Sequence, residues 1–286
     1  MVIGQLWINY MDKIVAINYY ACCGCVAGHE LDLWRNDLPL RHFRDGTSDA
    51  ATWRTVFDGN LYGVGNFKNL AVVDVGAHIG SFSCRAAEAG ARRVLSVEAN
   101  PENFSILRKN VAPYAAVEIL LSALDHTGAS LVAVSGGEPD TGRVSSGADA
   151  RQSPRFLVPT VQIDKIFEQL GGDRVHVLKM DCQGAEWQAF NAASSESWQR
   201  VDEIVGEIHA DLHFEHFCIF AARHVPAEAF TSPDTWRLRA RALVAVSTFL
   251  RAAGFEVTFS LDEEDDNTAE FHALRRGLSP RCQIPS

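Results

Sequence analysis

The chain is short of cations. Its 286 residues carry 26 Lys and Arg against 36 Asp and Glu, a formal charge of −10. Nucleic-acid backbones are held by concentrated Lys and Arg, so this deficit argues against such a partner. Long apolar runs are also missing, and none reaches the roughly 20 residues that a membrane-spanning helix needs. No membrane partner is expected. The opening stretch, "MVIGQLWINYMDKIVAINYY", lacks a basic leader and is interrupted by Asn9, Asp12 and Lys13. It is therefore expected to be mature sequence of a cytoplasmic protein. The seven cysteines are an odd count without regular spacing. Cys22, Cys23 and Cys25 form "CCGC" but lack the paired spacing of a zinc site, so reduced thiols are expected. No metal site is assigned. Internal repeats, long low-complexity segments and a G-x-G-x-x-G fingerprint are absent as well.

What is present suits a folded protein. The chain is 47% apolar and 22% charged, which permits a buried core. Residues 1–61 hold three tryptophans among polar, helix-like pieces and are expected to form an N-terminal helical cap. From Phe67 onward, short apolar runs alternate with helical patterns: "NLAVVDVG", "SFSCRAAEAGA", "RRVLSVEAN", "PENFSILRKNVAPY", "VEILLSAL". Pro101 sits at a first helical position, followed by Phe104, Leu107 and Val111 at helical spacing. The glycine- and serine-rich stretch "SGGEPDTGRVSSGADARQSPRF" is expected to be a loop or irregular hairpin, and "TVQIDKIFEQLGG" a helix. Then come the strands "RVHVLKMD" and "VDEIVGEIH" and a long amphipathic helix near "WRLRARALVAVSTFLRAAG". "FEVTFSL" and "TAEFHALRR" are expected to pair as an antiparallel hairpin at the C-terminal end. This alternation predicts an α/β fold, a mainly parallel sheet with helices on both faces, over residues 62–276, with a tail at 277–286. Such sheets bind ligands at the carboxyl ends of their strands. Asp74, Glu98, Ser122, Asp181, Glu207 and His209 all fall at such ends.

The first motif is "VVDVGAHIGSFS". Gly76 and Gly80 permit a tight turn and close approach of a ligand. Asp74 stands where the dinucleotide fingerprint has its first glycine, and a carboxylate there suits a cationic ligand better than a pyrophosphate. Glu98 ends the next strand, where an acidic side chain accepts hydrogen bonds from ribose hydroxyls. Together they fit a nucleoside without a diphosphate.

The blocks "VVDVGAHIGSFS", "VLSVEANPENFSILRKNV", "LSAL", "VQIDKIF", "VLKMDCQGAEWQAF" and "EIVGEIH", in this order, resemble the FkbM-type S-adenosylmethionine-dependent methyltransferases. The resemblance runs from about Tyr62 to the strand near Phe255. It implies a class I methyltransferase, Rossmann-like fold with S-adenosylmethionine as cofactor. It implies a cofactor site at Asp74, Gly76, Ala77, His78 and Gly80, with Glu98 and its neighbour Ala99 on the ribose side. Ser122 and Ala123 resemble the adenine-side contacts, and Tyr62 the aromatic beside the methionine end.

The second motif is "VLKMDCQGAEW". Methyl transfer needs an acceptor atom held about 3 Å from the methyl group, and a hydroxyl acceptor gains from a positioned base. Asp181 can bind the cofactor ammonium, orient the acceptor or act as base. Glu186 either points to the pocket or favours a helix N-terminus. Where the family usually has Asp-x-Glu-Gly-x-Glu, this chain has Gln183, an amide that is no base but can hydrogen-bond an acceptor. Glu207 and His209 resemble the family's Glu-x-His, and an ordinary imidazole near pKa ~6.5 takes a proton at neutral pH. His209, His213 and His216 would share a face if helical, but the stretch alternates like a strand extension, and a substrate-side role is assigned to His213. The expected reaction is O-methylation of a hydroxyl on a small-molecule acceptor, a sugar or natural-product intermediate. The alternatives are N-methylation of a peptide or amino sugar, an NAD-dependent oxidoreductase and a non-catalytic nucleoside-binding module. A homodimer is one option for assembly.

Overall fold

The computed structural model describes residues 40–126, 130–136, 142–145, 156–210, 212, 214–224, 238–261 and 268–279. Cys22, Cys23 and Cys25, most of the expected cap and most of the 135–155 loop lie outside them.

Ala71–Val75 (β1), Arg93–Glu98 (β2) and Val117–Leu121 (β3) are parallel strands, joined in the same sheet by Val177–Met180 (β8) and Glu203–His209 (β9). Phe255–Ser260 (β10) and Thr268–Arg275 (β11) form the expected antiparallel hairpin, and β11 runs antiparallel to β9. The order across the seven strands is β10-β11-β9-β8-β1-β2-β3. β1 and β8 are buried along their whole length. That requires cover on both faces, the usual state of parallel sheets.

Alternate residues supply the two faces. Val73, Val75, Leu95, Leu178 and Ile204 pack into one core with Ile163–Gln169 (α4), Glu186–Ala192 (α5), Phe214–His224 (α7) and Leu238–Ala252 (α8). Val72, Val94, Val177 and Val205 pack on the other side with Phe82 and Ala86 of Ser81–Glu88 (α2). Asp74, Ser96 and Lys179 share the parity of this second face.

Helix α3, Pro101–Val111, starts as its residues dictate. Asn100 is the N-cap, its side chain accepts from Glu102 N at 2.8 Å, and Arg108 and Lys109 close the last turn. Two expectations change. The segment before α4 is not all helix, since Phe156–Val161 is strand β7. It pairs antiparallel with Leu131–Gly136 (β5), which in turn pairs with Gly142–Ser145 (β6). A two-residue strand, Ala123–Leu124 (β4), completes this second, four-stranded sheet. The stretch after His209 is likewise not a strand extension, because α7 begins at Phe214.

Ahead of the sheet, Asp49–Trp53 (α1) continues as a π-helix over Arg54–Asp58. Trp53 packs with Ile79 and Leu107, and Asn110 bonds both backbone groups of His42 (2.7 and 3.1 Å). No helix among the described residues is long and apolar enough to cross a membrane.

Candidate functional site

A pocket opens at the carboxyl ends of β1, β2 and β8, where β1 lies between strands from opposite halves of the chain. Order reverses there, which is where open α/β sheets place their ligands. Its lining includes Tyr62, Gly76, Ala77, His78, Glu98, Ala99, Ser122, Asp181 and Gln183 of the residues expected from sequence. It also includes Thr52, Val56, Lys179 and Cys182.

The turn after β1 is built by close backbone approach. Gly76 has φ 77°, and a Cβ there would stand 1.8 Å from the Asp181 carbonyl oxygen. Only glycine permits this contact. His78 is also left-handed, at φ 53°, and its N–H donates to Glu98 Oε2 at 2.8 Å. Asn100 N donates to Glu98 Oε1 at 2.8 Å. Burial raises the Glu98 pKa above the ordinary carboxylate value, against the pull of these backbone bonds. Oε1 also accepts from Asn103 Nδ2 at 3.4 Å, while Oε2 keeps a second lone pair for a ligand hydroxyl.

Three residues expected to touch the cofactor stand outside the lining. Asp74 is wholly buried on the α2 side of the sheet. Ser83 Oγ donates to its Oδ2 at 2.6 Å, and Lys179 Nζ lies 3.3 Å from its Oδ1. Its charge is already spent within the protein. Gly80 caps α2 at φ 94° and leaves room for Leu107. Ala123 packs with Val134 and Val158 behind the wall. Ser122 stays in the lining while its hydroxyl donates to Pro159 O at 2.9 Å.

Beyond the pocket floor lies a charged network centred on His209, whose side chain is 5% exposed. Nε2 faces Asp181 Oδ1 at 3.9 Å and Glu207 Oε2 at 3.5 Å, and Nδ1 faces Glu186 Oε1 at 3.3 Å. Burial alone would push the imidazole pKa down, but Glu186, Asp181 and Glu207 outweigh it and raise it to about 9. His209 is thus protonated at neutral pH, not the proton acceptor expected from its ordinary pKa. The Gln183 amide nitrogen is placed 3.0 Å from Nε2; an imidazolium donates at both nitrogens, so beside it the amide turned by 180° presents its oxygen as the acceptor.

The three carboxylates differ. Burial would raise the Asp181 pKa, but Lys179, then His209, then the 2.8 Å bond from Tyr62 Oη bring it below the ordinary range. Glu207 goes the other way, raised by burial and by Asp181 against the pull of His209. Glu186, fully buried, accepts from Cys182 N (2.7 Å) and Gly184 N (2.8 Å). It braces a turn in which Gln183 has φ 54° and Gly184 φ 93°. Asp181, Glu186 and His209 bring ligand-type atoms within 4.8 Å of one another, the spacing of a metal group. Carboxylates on both edges of the ring and backbone donors on both Glu186 oxygens make it an ion-pair network around a charged imidazole. The Cys182 thiol is held well above its usual pKa by burial and by Glu186 and Asp181, so it is no nucleophile at neutral pH.

His213 lies outside the described residues, and His216 sits on α7 with its ring 4.9 Å from that of His126. Lys179 is the charged lining residue that sequence reasoning missed. Its signal is a lone Lys inside the apolar run "VHVLKM".

The family model described as "Methyltransferase FkbM domain" matches residues 74–257, more than half of the chain. No curated protein matches. Among solved structures, methyltransferase FkbM from Methylobacillus flagellatus KT is 14% identical, with 73% of this chain and 44% of that one covered and a TM-score of 0.45. Aeropyrum pernix fibrillarin, with natively bound S-adenosyl-L-methionine, is 14% identical over 78% of this chain and 75% of that one, TM-score 0.42. Precorrin-6y C5,15-methyltransferase from Geobacter metallireducens GS-15 is 14% identical over 77% and 87%, TM-score 0.39.

Proposed function

The chain belongs to the FkbM methyltransferase family, and on that premise we propose that its pocket binds S-adenosylmethionine for methylation of a hydroxyl on a small-molecule acceptor. A sugar or another natural-product intermediate is the acceptor class. The observation that carries this reading is Glu98, a buried carboxylate in the pocket wall at the end of β2, beside the Gly76–His78 turn. A carboxylate there accepts from vicinal hydroxyls of a ribose.

The residues present fit the cofactor. Glu98 and Ala99 take the ribose side, and Ser122 the adenine side. Tyr62 and Asp181 stand at the methionine end, where the Asp181 carboxylate suits an ammonium group. The cofactor, when bound, supplies a methyl group activated by a sulfonium centre. The chain orients the acceptor and receives its proton. Asp181, held below the ordinary carboxylate range, is the weaker base, and the His209 imidazolium is none. Glu207 has the raised pKa and the partial exposure (30%) that proton acceptance calls for. His209 then stabilises the Glu207 carboxylate and, through Gln183, holds an amide at the acceptor side.

Calorimetry with S-adenosylmethionine and with NAD tests the cofactor, and NAD binding without S-adenosylmethionine binding overturns the reading. Incubation with panels of hydroxyl and amine acceptors, read by mass spectrometry of products, separates O- from N-methylation.

A further inference from the structure

Lys179 lies in the third position of β8, 4% exposed. A lone ammonium out of water is costly and persists only with partners. In register, Lys179 stands directly beside Asp74 on β1. An ion pair between neighbouring strands would be a purely structural bridge, but the geometry goes further. The shortest contact of Nζ is not Asp74. It is the Gly76 carbonyl oxygen, at 2.6 Å, in the turn whose glycine packs against the Asp181 backbone. The ring of Tyr62 lies 5.7 Å from Nζ, and the hydroxyl of the same ring donates to Asp181 Oδ2. Lys179 therefore bonds the turn that packs on the Asp181 backbone and lies over the aromatic whose hydroxyl bonds the Asp181 carboxylate.

We propose that Lys179 is a positioning residue of the transfer site, a buried cation that holds the Gly76 turn, Tyr62 and the Asp181 carboxylate in one arrangement. Its charge is also the foremost influence drawing the Asp181 pKa down against burial. Lys179 itself is kept charged, since Asp74 and Asp181 raise its pKa although burial opposes them. Asp74 in turn neutralises the ammonium without entering the pocket. The functional consequence rests on the methyl-transfer reading above, whereas the geometry does not.

The test must separate this role from simple pairing with Asp74. Lys179→Met strands a buried Asp74 carboxylate and lowers the melting temperature. Asp74→Asn combined with Lys179→Met removes both charges and is expected to recover most of the lost melting temperature. In that double variant, carbon-13 NMR of the Asp181 side chain is expected to show its titration midpoint raised. Affinity for S-adenosylmethionine is expected to fall, because the Gly76 turn and the Tyr62 ring lose the cation that orders them. Recovery of melting temperature with an unchanged Asp181 midpoint and unchanged affinity would overturn the proposal and leave Lys179 as the partner of Asp74 alone. If the wild type binds no S-adenosylmethionine, the function proposed above fails, and the Asp181 midpoint alone decides for or against Lys179.

Discussion

At the scale of single residues, charge placement separates the groups that meet a ligand from those that hold the groups that do. Glu98 faces the pocket with both oxygens braced by backbone N–H groups, so Glu98→Ala removes a preset, charge-assisted acceptor. Hydrogen bonds to charged groups contribute about 1.5–3 kcal/mol, so S-adenosylmethionine affinity should fall by roughly tenfold to a hundredfold in calorimetry. His209 makes a pH prediction. Its folded pKa of about 9 lies above the unfolded value near 6.5, so its stabilisation is complete below about pH 6.5. It fades as the pH rises toward 9. Urea unfolding across that range should lose up to about 3 kcal/mol in the wild type and clearly less in His209→Asn. Gln183→Glu restores the family's usual acid and puts a fourth carboxylate beside the ring. The His209 NMR titration midpoint should then rise further. Asp74 shows what sequence could not settle. Its position predicts a ligand contact, but strand alternation puts its side chain on the α2 face, where Ser83, nine positions on, and Lys179 of β8 engage it.

At the scale of elements, the parallel strands were legible because each is a short apolar run closed by a polar residue or glycine. Helix α3 was legible because capping chemistry is local. The second sheet was legible only in part. β5 and β6 pair as the irregular hairpin that was one of the two expectations for the glycine- and serine-rich stretch, but β7 begins a run that ends in a helix and was not expected. The pairing of β7 with β5 and β4, some twenty to forty positions earlier, leaves no local period. Lys179 was hidden for a related reason, since its partner Asp74 is 105 positions earlier and becomes a neighbour only through the β1–β8 register. The cap of α3 makes the element-scale prediction. Asn100→Ala deletes the side-chain acceptor for Glu102 N and should cost about 1 kcal/mol in denaturant unfolding. The Asn100 backbone N–H on Glu98 survives, so cofactor affinity should change far less than in Glu98→Ala.

At the scale of the whole molecule, the pocket draws on segments spread from Thr52 to Ala185. Thr52 and Val56 come from the helical segment before the sheet, the Gly76 turn and Glu98 from the first two strands, and Lys179 to Gln183 from β8. A ligand that bridges these segments binds the native state and not the unfolded chain, so its binding free energy adds to folding stability. At a free concentration a hundred times Kd, this amounts to about 2.7 kcal/mol. For a domain of this size each kcal/mol raises the melting temperature by roughly 2–4 °C, so saturating S-adenosylmethionine should raise it by about 5–11 °C. NAD at the same concentration should leave it unchanged, because its pyrophosphate would meet a pocket floor that carries Asp181 and, among the described residues, offers no free cation in return. Both cations nearest the floor are already engaged, Lys179 by Asp74 and Gly76, His209 by three carboxylates. A thermal melt with each ligand is therefore a measurement of which charge the assembled floor accepts. An NAD shift equal to that of S-adenosylmethionine would mean that the floor does not discriminate by charge at all.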